Sequence, residues 1–307
     1  MNKERYVDSL IYQKLFHFAH LTISDIDNEP VTRIFSDKIL EQEFCLFARD
    51  IPTGDAYFLF LHERFVEALQ KKRPLPVVRF ADGEYAFYKY TLGCNGLYKQ
   101  AESVKSIHEA MPQHIAAMKY IADNGLLAPL VYPGNANIAP SGLLRFFRKG
   151  QDSGGADFLD FIHKAKIDLT GDNYVPFYLV YAYLTSANFA RLLHNRNLVV
   201  MNSDFNEKSC LSWFNRFESR PNIDFVSIPA EYVATRWDDV RQPILDRIPK
   251  GTDLCLTGAG VGALLICQDV ARQLSIPAID AGHVLNMMND RVDKSNGARL
   301  YTLRKNP

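Results

Sequence analysis

Little in this 307-residue chain leans to one side. Lysine plus arginine and aspartate plus glutamate both number 35, so the formal net charge is zero. Without a basic excess there is no electrostatic footprint for nucleic acid or for a strongly anionic membrane. Cysteines are few, at five, odd in number, and never spaced as CxxC. That argues against a disulfide framework and against a zinc site. Reduced, buried thiols in a cytoplasmic protein are the simpler reading. No run approaches 18 uncharged apolar residues, so no transmembrane helix is expected. The N-terminal stretch MNKERYVDSLIYQKLFHFAHLTI has neither an uninterrupted apolar region nor a small-residue cleavage site, so it is not read as a secretory signal. Internal repeats, low-complexity tracts, GxSxG and Walker A motifs are absent too.

What is present is a generous apolar share, 47%, with 15 Tyr and 20 Phe. That suffices for a sizeable core. The aromatics fit a filled core, and they also fit stacking on sugars or bases. Residues 1–72 read as a helical extension, a cap or an oligomerisation arm. Its best helix, 55–72, begins acidic and ends basic, as the helix dipole favours. Residues 73–307 read as one Rossmann-like domain. LPVVRF (75–80) is a buried strand, and a helix is expected from Gly83 to about Leu92. Residues 103–125 form a longer helix, kinked or split at Pro112 and closed by Gly125 as a C′ glycine. LLAPLVY (126–132) is a strand. LLRFFRK, ADFLDFIHKAKI and VPFYLVYAYLTSANFARLLHN are helical. From 197 onward short strands alternate with helices, which argues βαβ units and a mostly parallel sheet flanked by helices. The basic tail NGARLYTLRKNP is expected to be partly mobile.

In open parallel sheets ligands bind beyond the carboxyl ends of the strands. The chemistry is therefore sought at 79–84, 132–137, 202–204, 257–262 and 280–283. The first of these holds Asp82 and Glu84, two carboxylates around Gly83. In an extended segment positions i and i+2 face one side. Such a pair suits a hard divalent cation, Mg²⁺ or Mn²⁺, with places left for substrate phosphates. Two other readings stand beside it. Asp82 caps the helix with Glu84 in its first turn, or Arg79 pairs with one carboxylate.

RFADGE (79–84), following an apolar strand, resembles the RFGDGE signature of the GT-D-type glycosyltransferases. The segment 256–283, a strand and glycine turn leading to a helix and a strand that ends IDAGH, resembles the C-terminal block of the same family. VVMNSDF and VSIPAEYVATRWDDV stand in the order of its middle strands, so the likeness spans roughly 75–285. Three departures are visible: Ala81 replaces a glycine, TGAGVGA replaces a Gly-Pro-Thr-Ala type of turn, and VLNMMND replaces an acidic and aromatic run after His283. The resemblance implies a Rossmann-like fold and a hexosyltransferase-like enzyme. Its DxE pair would hold the metal and the diphosphate of a nucleotide sugar, with a UDP-sugar the first donor to test. The acceptor would be a glycan, a glycoprotein or a lipid-linked sugar, reached in the cytoplasm or at the inner face of a membrane through peripheral association.

On that reading Asp82 and Glu84 are metal ligands and catalytic. His283 and Asp204 are candidates for acid or base. Arg79, Phe80, Gly83, Asn202, Thr257, Gly258, Gly260, Asp280 and Gly282 are placed around the donor. A competing local pattern exists. Gly258, Gly260 and Ala263 spell GxGxxA, and Asp280 follows Gly258 by 22 residues. Taken alone this is a fingerprint for NAD, or for S-adenosylmethionine, with Asp280 on the ribose. A non-catalytic member of the glycosyltransferase fold is the third reading. Asn202, Ser203 and Asp204 are alternatively a cap for the helix at Glu207, and Asn135 and Asn137 turn residues. His17, His20, His108 and His114 show no metal spacing.

Overall fold

The computed structural model describes residues 4–23, 44–96, 98–137 and 153–290. Residues 143–149 and the basic tail, both given expectations above, lie outside these. Chain order begins with α1 (Leu10–Leu15), β1 (Phe16–His20) and β2 (Phe44–Ala48), then α2 (Gly54–Lys71), β3 (Leu75–Phe80) and α3 (Asp82–Tyr88). α4 (Val104–Asn124), β4 (Leu126–Pro129), α5 (Gly154–Lys164), α6 (Phe177–Leu184) and α7 (Ala187–Leu192) follow. The regular half runs β5 (Asn197–Asn202), α8 (Glu207–Asn215), β6 (Asn222–Ser227), α9 (Val233–Leu245), β7 (Leu254–Gly258), α10 (Ala263–Leu274), β8 (Pro277–Asp280) and α11 (His283–Met288).

Six strands form one sheet in the order β4-β3-β8-β7-β5-β6. Every pairing is parallel, so all carboxyl ends share one edge. The last strand among the described residues, β8, slots between β3 and β7 and brings residue 280 beside the end of β3. β3 is buried at all six positions, as a strand covered on both faces must be. α10 and α2 both pack on β3 and β8. Two helices about 10 Å wide cannot share a strip two strands wide, so they lie on opposite faces. The edge strand β6 is mostly exposed.

Local chemistry sets the boundaries. Thr53 caps α2 by accepting the Ala56 N–H at 3.1 Å, and Lys72 ends it in the left-handed region. α4 is continuous, with Pro112 inside it rather than dividing it. Gly125 closes α4 in extended backbone, not as a left-handed C′ residue. It is glycine because a Cβ there would stand 2.0 Å from the Pro76 carbonyl. The helix expected over 175–195 breaks in two at Ser186, whose hydroxyl caps α7.

The expectation of an all-helical N-terminal segment is corrected: β1 and β2 form an antiparallel pair. β2 is tied to the main domain through Leu46 N–H to the Val131 carbonyl at 3.1 Å. The Tyr174 hydroxyl donates to the Leu46 carbonyl at 2.7 Å. All five cysteines are buried and free. No described helix is long and apolar enough to cross a membrane.

Candidate active site

A cleft of about 560 Å³ opens at the carboxyl ends of β3, β8, β7 and β5. At its β3 end the chain turns from strand to helix with no spacer but Ala81, and Asp82 is already the first residue of α3. The extended geometry expected for Asp82 and Glu84 is therefore corrected. They occupy the first turn of a helix, where i and i+2 diverge. Both still line the cleft, Asp82 exposed and Glu84 half-buried. The capping role falls to Glu84 rather than Asp82: its Oε2 accepts the Ala81 N–H at 2.9 Å. Burial, assisted by the nearby Asp280, outweighs that bond and raises the Glu84 pKa to about 7.

Arg79 points along the strand ends and is 6% exposed. Its Nε donates to the Asp280 carbonyl at 2.8 Å and its Nη2 to Asp280 Oδ1 at 2.9 Å. The sequence reading that pairs Arg79 with Asp82 or Glu84 is thus corrected to Asp280. Desolvation works against the guanidinium charge, but Asp280 and Tyr181 outweigh it and its pKa lies above the ordinary range. Burial raises the Asp280 carboxyl against the pull of Arg79. Gly282 makes room for this pair. It has φ +42°, and a Cβ there would fall 1.9 Å from Arg79 Nη2. The guanidinium also lies 4.5 Å from the Tyr181 ring centroid and 5.4 Å from that of Phe177.

The glycine turn is occupied by the protein itself. Gln100 Oε1 accepts the Val261 N–H at 2.9 Å. A Cβ on Gly260, where φ is +53°, would meet the Gln100 amide at 2.7 Å, and one on Gly262 would meet Val233 at 2.6 Å. These glycines let the lip at 98–101 and α9 approach the strand end. Asp280, the ribose partner in the dinucleotide fingerprint, is likewise engaged by Arg79. The lip itself is held by Asn95, whose Oδ1 accepts the N–H groups of Gln100 at 2.7 Å and Ala101 at 3.0 Å. On its far side the Tyr232 N–H donates to the Lys99 carbonyl at 2.8 Å.

The structure brings Arg79, Asp82, Gly83, Glu84, Asn202, Gly258, Gly260, Asp280, Gly282 and His283 to one cleft. Three expected members stand outside its lining. Phe80 is fully buried and packs 4.7 Å from the Phe158 ring. Thr257 is also fully buried, 3.5 Å from Cys255 Sγ, and its carbonyl accepts the Ala281 N–H at 2.8 Å. Asp204 lies in the loop after β5, where Asn289 donates to its carbonyl at 3.2 Å. The cap of α8 is Asn206, not residues 202–204. Asn135 is the turn residue expected, accepting the Tyr132 N–H at 2.9 Å and donating to the Leu130 carbonyl at 2.8 Å. His114 is structural: its Nε2 donates to the Ala234 carbonyl at 2.7 Å, and burial lowers its pKa to about 4.

Sequence reasoning missed Gln100, Tyr98, Asn286, Tyr232 and the aromatics Phe177, Tyr178 and Tyr181, all of which line the cleft. The last three had a legible signal, aromatic residues at i, i+1 and i+4 on one helix. Asn286 follows His283 by three residues and reaches both His283 Nδ1, at 3.4 Å, and the Tyr98 hydroxyl, at 3.5 Å. Among the described residues no three His, Cys, Asp or Glu side chains gather as a metal site. Asp82 and Glu84 nonetheless offer hard oxygen donors that suit a divalent ion: both line the same cleft, and burial raises the Glu84 pKa to about 7, a penalty that a cation would relieve.

No protein-family model matches the chain, and no curated protein matches it. A solved structure described as the highly conserved domain of unknown function 1792, with a distinct glycosyltransferase fold, is similar to it at 15% identity. The match covers 75% of this chain and 82% of that one, with a TM-score of 0.42.

Proposed function

We propose that this protein is a divalent-metal-dependent glycosyltransferase that takes a sugar from a nucleotide-sugar donor, a UDP-sugar first among them. The observation that supports it most is the charge of the cleft. Asp82, Glu84 and Asp280 line it against one buried guanidinium, Arg79, while Lys99 at the lip pairs with Glu231 at 3.0 Å. A bare diphosphate meets net negative charge there and is repelled. A divalent ion held by Asp82 and Glu84 would offset that negative charge and, when bound, would stabilise the charge on a departing diphosphate. The protein's share is placement. α3 presents both carboxylates at the strand end, and Arg79 fixes the floor of the cleft through Asp280. His283 at the rim is the better-placed candidate to take the proton of an acceptor hydroxyl on a glycan, glycoprotein or lipid-linked sugar, since Asp204 lies outside the lining.

The test is thermal stability against UDP-, GDP-, ADP- and CMP-sugars with and without Mn²⁺, followed by assay of sugar transfer or donor hydrolysis. A ligand at 100 times its Kd adds about 2.7 kcal/mol. The expected result is a Mn²⁺-dependent shift with one nucleotide class that Asp82→Asn abolishes. A metal-independent shift with NAD or S-adenosylmethionine, unaffected by Asp82→Asn, overturns the reading.

A further inference from the structure

α6 (FYLVYAYL) is apolar almost all round, which ordinarily marks a helix buried on every side. Tyr178 is the one residue of it that is not buried, and it lines the cleft. It stands in an aromatic corner: Phe177 lies edge-on to it at 5.1 Å, and Tyr181 is tilted against it at 6.2 Å. Arg79 braces the corner from the floor, over the Tyr181 and Phe177 rings. A half-exposed tyrosine ring in a pocket, backed by two buried rings, is a rigid platform with only two side-chain torsions to fix.

Its place in the sheet order says which part of a substrate meets it. α6 packs on β4, outside β3, and Leu130, just past β4, lines the cleft beside it. The glycine turn and Asn202 lie on the opposite side, past β8. Asp82 and Glu84, at the end of β3, therefore divide the cleft into two arms. The arm past β8 is rich in hydrogen-bonding groups, Asn202, Ser203, Asn286 and Tyr98 among them. The arm toward β4 is walled by aromatic rings. A nucleotide sugar has its nucleoside on one side of the diphosphate and its sugar on the other.

We infer that the α6 corner, with Tyr178 as its platform, is the subsite for a pyranose ring, bound through one face of C–H groups against the aromatic face. This rests on the diphosphate lying at Asp82 and Glu84. Pyranose C–H groups carry partial positive charge and complement the negative face of an aromatic ring. The nucleoside is thereby assigned to the polar arm.

Saturation-transfer NMR on the full chain tests it, with methyl glucoside, methyl galactoside, methyl N-acetylglucosaminide and uridine as separate probes. Wild type should saturate ring C–H protons of at least one glycoside on one face. Tyr178→Ala should weaken that glycoside about tenfold, which corresponds to about 1.4 kcal/mol. Tyr178→Phe should retain it, and uridine should bind both variants like wild type. Should Tyr178→Ala lose the fold, Tyr178→Leu keeps bulk without an aromatic face and carries the same comparison. Loss of uridine instead of the glycoside makes the corner a base platform and overturns the inference. So does a wild type that saturates no glycoside, or glycoside binding equal in all forms. The nucleotide-sugar stability scan separates the two layers. A Mn²⁺-dependent shift beside an indifferent Tyr178→Ala sinks the corner alone, whereas no such shift with any nucleotide sugar sinks the metal reading itself.

Discussion

A carboxylate that holds its proton to about pH 7 changes character across the range in which cells work, and Glu84 is such a group. Its folded pKa lies above the ordinary glutamate value because burial penalises the charge. The sign follows by linkage. The group's stabilising contribution is complete below the unfolded pKa, near 4.5, and is lost as pH rises through the folded value near 7. The difference is of the order of 3 kcal/mol at most, since each unit corresponds to about 1.4 kcal/mol and the side chain is only half-buried. Glu84→Gln keeps an acceptor for the Ala81 N–H and removes the charge. Urea denaturation between pH 5 and 8 should therefore decline more steeply for wild type than for this variant. Metal binding should run the other way. A cation needs the deprotonated form, so Mn²⁺ affinity measured by calorimetry should rise with pH up to about 7 and then level off. An affinity flat from pH 5 to 8 would place the ion away from Glu84. That RFADGE would stand at a strand end, where the cleft opens, was legible because it follows a buried strand. Which carboxylate caps the helix was not, because that depends on whether α3 starts at residue 82 or 83. Gln100 was illegible for another reason: its partner Val261 lies 161 residues away.

At the scale of elements, the glycine turn shows how one local pattern serves two physical ends. GxGxxA permits close approach, and the sequence does not say of what. Here the approaching group is the Gln100 amide at Val261 N–H, with Val233 packed on Gly262. Gln100→Ala strands a buried N–H, a loss of about 1–2 kcal/mol. In thermal denaturation that should appear as a fall of a few degrees. The variant should gain no stabilisation from NAD. If it does, the turn is a cofactor site that Gln100 merely blocks. The strands and helices from 197 onward were readable because each is short, regular and bounded by turn residues. β1 and β2 were not. Phe16–His20 continues directly from α1, and FCLFA is an apolar run that could equally be buried helix. What makes them strands is their antiparallel pairing with each other, Phe16 with Ala48 at one end and His20 with Phe44 at the other.

For the molecule as a whole, the question is whether the N-terminal segment is an attachment or a wall. Leu46 and Phe47 are fully buried. The Tyr57 hydroxyl accepts the Ala48 N–H at 3.1 Å, and the Tyr6 N–H donates to Asp160 Oδ1 at 2.6 Å. α2 carries the same core inward: Phe58 and Phe65 each lie 5.3 Å from the Tyr183 ring of α6. The aromatic corner of the cleft is thus supported from behind by residues that the sequence pattern set apart as an extension. Removing residues 1–53 would uncover Tyr174, whose buried hydroxyl would lose its Leu46 acceptor, and would leave α2 without its β2 cover. Each large apolar side chain returned to water costs about 1.5–3 kcal/mol. Several such losses together equal the whole stability of an ordinary domain, about 5–15 kcal/mol. A chain of residues 54–307 should therefore lose cooperative urea unfolding and near-ultraviolet circular dichroism while retaining helical signal. A sharp transition with a wild-type midpoint would make the segment a dispensable arm. In that case the rigidity of α6, and the precision with which Tyr178 faces the cleft, must come from α2, β4 and α7 without help from the β1–β2 pair.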